Sequence, residues 1–416
     1  MKRSLESAIK TAWATVVGSH RLVPVAVVGV VGGLAGAAYV VALRLLSDLV
    51  WSDEHSLGLQ ALVLLGAGAI LAVAAKVAHP VGDVELLVDN IHVLGGAETA
   101  RSTVPLLPLS LVSIASGAPV GPEAPLVQTT GTLGSVIARR LGVGTDELRV
   151  LTITGMAAGF TVLFGAPLGG ALFALEILHR RGLQYYEALV PALVGSLCGY
   201  GVFVALTRTG LAPEWPLPSV SSLTLGDMGW TVLAALAGAA LAAAFVGLQA
   251  VLRRVLAPVP KPVRPLLGAV ALVGLAAWSP FALTFGHEQV PLVAGGTLAV
   301  GALVVAVVAK LAGTSVAIGT GWKGGFVIPL FFMGLALGQA FHQVMPSANA
   351  AVVVSACAVA ASVGVTKTPL GSALVVTEMT GLTVLPTTIL AAVVALLVTR
   401  SIGLIESQRP RASVEP

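Results

Sequence analysis

The chain has 416 residues, of which 56% are hydrophobic and 10% are charged, and its mean hydropathy is +0.96. Soluble domains carry about 25% charged residues, so this composition excludes an ordinary soluble protein and indicates a chain that crosses a membrane many times. The formal net charge of +4 fits the usual excess of basic residues in cytoplasmic loops better than it fits an acidic partner.

The predicted elements begin with residues 1–21, a basic segment that we expect to be a cytoplasmic lead into the first membrane helix. A first membrane repeat is predicted at 22–207, a proline-rich linker at 208–228, a second membrane repeat at 229–405, and a tail at 406–416. Several apolar stretches inside the repeats, such as 104–118, are short or interrupted by glycine and proline. Broken helices of this kind are tolerated at membrane depth only where protein or a cavity covers the freed backbone groups. The sequence therefore predicts an all-α polytopic membrane protein with broken helices.

One pattern occurs in both halves of the chain. A Gly-x-x-x-Pro element at 121–125 precedes a Pro-Leu-Gly-x-Ala-Leu-x-x-x-Glu element at 167–176, and the same two elements recur at 325–329 and 369–378. The copies are 204 positions apart from Gly121 to Gly325, and 202 positions apart from Pro167 to Pro369. Two related hydrophobic halves are typical of a transporter or channel whose site lies where the halves meet.

The two Gly-Pro loops are the candidate site. Three prolines keep 116–125 out of a regular helix, so we predict a helix from Leu126, and after the second loop another from Leu330. The N-terminus of a helix presents unpaired N–H groups and a partial positive charge, which together attract anions. Two such ends that meet inside the membrane would bind an anion through the backbone alone.

Only the first loop contains a carboxylate, Glu123. An ionisable residue inside a membrane is costly and usually functional. A carboxylate at a helix N-terminus can occupy the anion site itself, and can open the path when it is protonated or displaced. The alternative is that Glu123 only caps its own helix.

The remaining titratable residues indicate structure more than chemistry. Glu176 and Glu378 end the two matched segments, and their symmetry favours capping or pairing at a helix end. The histidines show no spacing typical of metal ligands, so no metal or other cofactor is predicted. The segment 319–325 lacks the residues of a phosphate-binding loop. An enzyme active site would need paired titratable groups, and Glu123 has none near it in sequence, so we do not expect an enzyme.

Four segments resemble the CLC family of chloride channels and proton–chloride exchangers. Residues 120–128 look like the family's Gly-Arg-Glu-Gly-Pro-x-Val-Gln element, and 155–176 look like its Gly-x-Ala-Ala-Gly to Leu-Phe-x-x-Glu segment. Residues 324–329 resemble the Gly-x-Phe-x-Pro loop, and 378–381 match Glu-Met-Thr. The resemblance covers most of the chain, and we expect no cytoplasmic CBS pair after the membrane domain.

The resemblance implies two inverted halves per subunit, a homodimer, and one anion pathway in each subunit. Glu123 would be the gating glutamate that competes with the anion. The backbone of Gly121 and Gly325 and the amides of Phe326 and Val327 would line the anion site.

The chain departs from the family's pattern at three positions. Val81 or Gly82 stands where a serine hydroxyl would contact the anion, and the tyrosine of the same site is replaced by a residue near Ser407. Ile177 stands where exchangers have a second glutamate for internal proton delivery. An apolar side chain cannot carry a proton, which favours passive conduction.

These observations predict transport of a small anion, chloride by default, through a channel-like pathway gated by a glutamate. The alternatives are a proton-coupled anion antiporter, a transporter of fluoride, nitrate or another anion, and a CLC-like scaffold that conducts little. We expect a homodimer in contact with membrane lipid, no nucleic-acid partner, and location in the plasma (inner) membrane with the N-terminus in the cytoplasm.

Overall fold

The computed structural model describes residues 22–51, 56–77, 84–97, 103–180, 184–208, 215 and 217–408. Helices are the only regular secondary structure in this part of the chain, and its only β interaction is an antiparallel bridge between Gly121 and Gly325. Seven of its helices are long and apolar enough to cross a membrane. The predicted all-α polytopic architecture is therefore confirmed.

Each half contains eight helices within the described residues. The first half comprises α1 (Leu22–Val50), α2 (Leu57–Val77), α3 (Val84–Leu94), α4 (Leu106–Ala115), α5 (Glu123–Arg140), α6 (Thr145–Phe164), α7 (Pro167–Glu176) and α8 (Leu189–Thr207). The second comprises α9 (Leu225–Leu256), α10 (Arg264–Trp278), α11 (Val290–Ala294), α12 (Val300–Gly319), α13 (Val327–Val344), α14 (Ala350–Thr366), α15 (Pro369–Thr380) and α16 (Leu385–Val398). Helices α5 and α13 each have 18 residues and begin at equivalent positions of the sequence repeat.

Both helices begin earlier than the sequence predicted. Helix α5 starts at Glu123 rather than Leu126, and α13 starts at Val327 rather than Leu330. Pro125 and Pro329 therefore lie in the first turn of their helices. The N–H groups of a first turn have no partner inside the helix, so a proline there sacrifices no hydrogen bond.

The segment predicted as a linker, 208–228, is helical at its end. Helix α9 begins at Leu225 because Thr224 and Asp227 cap it reciprocally: Asp227 N–H donates to Thr224 Oγ1 at 3.3 Å, and Thr224 N–H donates to Asp227 Oδ2 at 2.7 Å. Trp215 anchors the same segment to the core, with its ring 5.7 Å from that of Phe331. Trp215, within the predicted linker, is thus packed against the second half.

Glu176 and Glu378 join the two halves. The carboxylate of Glu176, at the end of α7, accepts hydrogen bonds from the amides of Leu370 and Gly371 in the first turn of α15, at 3.1 and 2.7 Å. Glu378 returns the contact to the first turn of α7, where the amides of Leu168 and Gly169 donate at 3.2 and 2.9 Å. Each glutamate caps the other repeat's helix, so α7 and α15 run antiparallel. Equivalent helices of opposite direction are what an inverted repeat requires.

We expect Glu176→Ala to destabilise the protein, because the change leaves the part-buried amide of Leu370 and the buried amide of Gly371 without acceptors. Each such donor costs about 1–3 kcal/mol. Thermal unfolding in detergent should show a lower Tm than that of the control Glu288→Ala, which alters an exposed carboxylate. A Tm equal to the control's would mean that the caps contribute nothing.

Candidate functional site

The two Gly-Pro loops meet at a backbone bridge. Gly121 N–H donates to the carbonyl of Gly325 at 2.8 Å, and Gly325 N–H donates to the carbonyl of Gly121 at 2.6 Å. Helices α5 and α13 begin two residues after these glycines. The sequence repeat therefore places two helix N-termini side by side, as predicted from the sequence.

Glu123 occupies the N-terminus of the opposite repeat's helix. Its Oε1 accepts hydrogen bonds from the amides of Val327 at 2.5 Å and Ile328 at 3.3 Å. The side chain is only 2% exposed, and Oε2 has no hydrogen-bond partner among the described residues. The contact crosses between repeats, which corrects the simpler alternative that Glu123 only caps its own helix. We call the place formed by the amides of Val327 and Ile328, which the carboxylate occupies here, the Glu123 seat.

Glycine is needed on both sides of the seat. A Cβ added at Gly121 or at Gly325 would overlap the Glu123 side chain, and all three of its nearest atoms would belong to that side chain. Neither glycine has a positive φ, so the requirement comes from space and not from backbone conformation. The two Gly-Pro loops can approach closely enough to enclose a carboxylate only because both positions lack a side chain.

Polar contacts fix the loops on either side of the bridge. The hydroxyl of Thr314 donates to the carbonyl of Pro119 at 2.9 Å, and the amide of Lys323 donates to Ser113 Oγ at 3.0 Å. The indole of Trp322 donates to the carbonyl of Pro265 at 3.2 Å. These contacts give buried backbone N–H and C=O groups of the loops the hydrogen-bond partners that they need at membrane depth.

Lys310, in α12, was not identified from the sequence. Its side chain is fully buried, and Nζ donates to the carbonyls of Leu283 and Thr284 at 2.5 and 2.7 Å and to Gln289 Oε1 at 3.0 Å. Three acceptors match the three N–H donors of an ammonium group. Thr284 N–H in turn donates to the carbonyl of Gly117, which leads into the first Gly-Pro loop. A charged residue inside an apolar stretch was the signal that could have singled it out.

Two cavities flank the Glu123 seat. Pro122 and Ile328 line a cavity of about 660 Å³, which also contains Arg44, Asp48 and His287 and which we call the Arg44 cavity. Glu123, Phe326 and Val327 line a second cavity of about 360 Å³, which we call the Arg253 cavity. The remaining residues on its wall are Ala124, Phe160, Ile177, Gln249, Arg253, Ile318, Gly319, Gly324, Gly325, Leu404 and Ile405. The carboxylate of Glu123 thus lies between two spaces large enough for small ions.

Some of the other predicted site residues line the Arg253 cavity and some do not. Phe326, Val327 and Gly325 line the Arg253 cavity with Glu123, and Ile177 is a buried part of its wall. Ser407 is buried but does not line this cavity; Leu404 and Ile405 do. Val81 and Gly82 lie outside the described residues.

No group of three or more His, Cys, Asp or Glu side chains lies close enough together in the described part of the chain to hold a metal ion. The Glu123 carboxylate and the amides that hold it form the centre of the site, and the cavity beside it has a largely apolar wall with Gln249 and Arg253 as its other polar side chains.

The sequence matches the Voltage gated chloride channel family over residues 89–400. It is 29% identical over 408 residues to the "Chloride/fluoride channel protein" of Pseudomonas syringae pv. tomato (strain ATCC BAA-871 / DC3000), and the match covers 92% of this chain and 86% of that protein.

The fold is similar to two solved structures. One is titled a CLC-type fluoride/proton antiporter, with a TM-score of 0.81, 22% identity, and coverage of 94% of this chain and 97% of that one. The other is titled a slow cyanobacterial Cl-/H+ antiporter, with a TM-score of 0.80, 20% identity, and coverage of 92% and 94%. With the family match, the inverted repeat and the seven apolar helices, the chain belongs to the voltage-gated chloride channel (CLC) family and is an integral membrane protein.

Proposed function

We propose that the protein transports small anions, chloride by default, along a pathway that Glu123 gates. The observation that carries this proposal is the Glu123 seat, where a buried carboxylate accepts hydrogen bonds from the amides of Val327 and Ile328 between two cavities. An anion that enters from either cavity would meet the same amides. Carboxylate and anion therefore compete for one place, and only one of them can occupy it.

Conduction through the pathway is passive in this proposal. The wall of the Arg253 cavity carries Ile177 at the position of the exchangers' inner glutamate, and Ile318, Leu404 and Ile405 add further apolar surface. None of these side chains can bind or release a proton. Among the described residues of this wall, Glu123 is the only carboxylate.

Two alternatives rest on the relatives. The two solved structures compared above are proton antiporters, one of chloride and the other of fluoride. The relative from Pseudomonas syringae pv. tomato is named for both chloride and fluoride, and as a channel. Proton-coupled exchange and fluoride as the transported ion are therefore the alternatives to be tested first, with nitrate as a further candidate ion.

The assembly and the membrane are proposed on the family resemblance. We propose a homodimer with one pathway in each subunit, located in the plasma (inner) membrane with the N-terminus in the cytoplasm. The Arg253 cavity then faces the cytoplasm, because basic residues such as Arg253 and Arg254 concentrate on that side.

The test is anion flux from proteoliposomes across chloride, fluoride and nitrate, with and without a proton gradient. We expect a chloride gradient to drive chloride flux without moving protons, because the wall offers no inner carboxylate. A proton flux in fixed proportion to chloride, absent from protein-free liposomes, would establish the antiporter instead. A higher rate for fluoride than for chloride would change the ion and leave the pathway in place.

A further inference from the structure

The mouth of the Arg253 cavity carries one positive charge. Among the described residues that line this cavity, Arg253 is the only cation and Glu123 the only anion. Ile177, Ile318 and Ile405 can offer an anion no hydrogen bond, and an ion that loses water against such a wall is destabilised. The amide of Gln249, which also lines the cavity, donates to the carbonyl of Ser315 at 3.4 Å, so Arg253 is the one lining side chain whose charge attracts an anion among the described residues.

Arg253 is itself paired with a carboxylate of the chain. Its Nη1 donates to Oε1 of Glu406 at 2.8 Å, and the two side chains are 53% and 72% exposed. Glu406 directly follows Leu404 and Ile405, which line the cavity. The ion pair therefore ties the segment that contains Leu404 and Ile405 to the last turn of α9.

The two ends of the cavity share one arrangement. At the closed end, the amides of Val327 and Ile328 hold the carboxylate of Glu123; at the mouth, the guanidinium of Arg253 holds the carboxylate of Glu406. We propose that Arg253 is a second anion site, at which an entering small monovalent anion takes the place of the Glu406 carboxylate before it reaches the Glu123 seat. This inference rests on the proposed transport of anions.

The energetics favour exchange at the mouth. An exposed ion pair contributes little to stability, since water and salt screen it, so an incoming anion can replace Glu406 at small cost. The segment does not come loose when this happens, because Gln408 Nε2 also donates to the carbonyls of Ile177 and Thr366, at 3.0 and 2.7 Å. Arg253 can therefore alternate between its internal carboxylate and an external anion while the fold stays intact.

The first test measures how flux depends on anion concentration on the side of the Arg253 cavity, for chloride and for fluoride. We expect Arg253→Gln to raise the half-saturating concentration about threefold or more, and Glu406→Gln to lower it, since an ionic contact in a partly exposed site corresponds to about that factor. Arg253→Lys keeps the positive charge, so its half-saturating concentration should stay close to that of the unmodified protein. Arg254→Gln is the matched control, because Arg254 lies on the same turn but does not line the cavity. The difference between Arg253→Gln and the control should shrink as impermeant salt is added.

The second test separates charge from structure. Arg253→Cys is made in a Cys198→Ala background and treated from one side of the membrane with a cationic or an anionic methanethiosulfonate reagent. We expect the cationic reagent to restore the low half-saturating concentration and the anionic reagent to raise it further.

Two results would overturn the inference. One is a half-saturating concentration in Arg253→Gln equal to that of Arg254→Gln; the other is equal behaviour after the two reagents. Either result leaves the proposed function standing, provided that the unmodified protein transports anions. Absence of anion flux in the unmodified protein contradicts the proposed function, and the inference with it.

Discussion

Glu123→Gln is expected to abolish the pH dependence of anion flux. In the unmodified protein, protonation removes the charge that holds the carboxylate on the amides of Val327 and Ile328, so flux should rise as pH falls. Glutamine is neutral at every pH and accepts these hydrogen bonds less strongly. Hydrogen bonds to a charged group contribute about 1.5–3 kcal/mol, so we expect flux at neutral pH to rise about tenfold or more.

The measurement is anion efflux from proteoliposomes between about pH 4 and pH 8, a range that spans the titration of carboxylates. Glu288→Gln is the control, because it neutralises an exposed carboxylate on the wall of the Arg44 cavity and leaves the seat unchanged. The same pH profile in Glu123→Gln and in the control would remove the gating role from Glu123.

Gly325→Ala is expected to displace Glu123 from its seat. The added methyl group would overlap the Glu123 side chain, to which all three of its nearest atoms belong. Overpacking of a close contact costs about 1–3 kcal/mol, so we expect a lower Tm together with the loss of pH-dependent gating. A second change, Glu123→Ala, should restore the Tm but not the gating, because it removes both the atoms that the methyl group meets and the gating carboxylate.

The double variant makes this prediction specific. Gly325→Ala should lower the free energy of unfolding by about 1 kcal/mol less, or a still smaller amount, in the Glu123→Ala background than in the unmodified protein. This difference is the coupling energy expected of two groups in contact. Gly58→Ala is the control, because a Cβ there meets nothing within 4 Å. Equal costs of Gly325→Ala in both backgrounds would show that the glycine is needed for some reason other than space for the carboxylate.

Much of the fold could be predicted from the repeat in the sequence. The matched elements at 121–125 and 325–329 predicted two helix N-termini at one site, and both helices begin at equivalent residues. The symmetry of Glu176 and Glu378 predicted a structural role at helix ends. The direction of their contacts was not predictable, because a carboxylate reaches across to the other repeat only when the tertiary fold brings that helix beside it.

The first residues of α5 and α13 and the residues of the cavity wall were harder to predict from the sequence. A proline can end a helix or lie in its first turn, and the pattern alone does not decide between them. The position of the family's tyrosine was assigned to the neighbourhood of Ser407, whereas Leu404 and Ile405 line the cavity. Lys310 is an ionisable residue inside an apolar helix, which is a strong signal, but its three acceptors lie in the segment before that helix, and only the fold brings them to its side chain.

Equilibrium binding of chloride and fluoride to purified protein tests the central claim most directly, since it measures competition for the Glu123 seat without transport. Glu123→Ala frees the amides of Val327 and Ile328, so we predict that it binds the transported anion about tenfold more tightly than the unmodified protein at a pH where the carboxylate is ionised. The affinity of the variant should also be independent of pH, whereas that of the unmodified protein should rise as pH falls. Equal affinities in the two proteins would contradict the account, because the carboxylate and the anion would then not share a site.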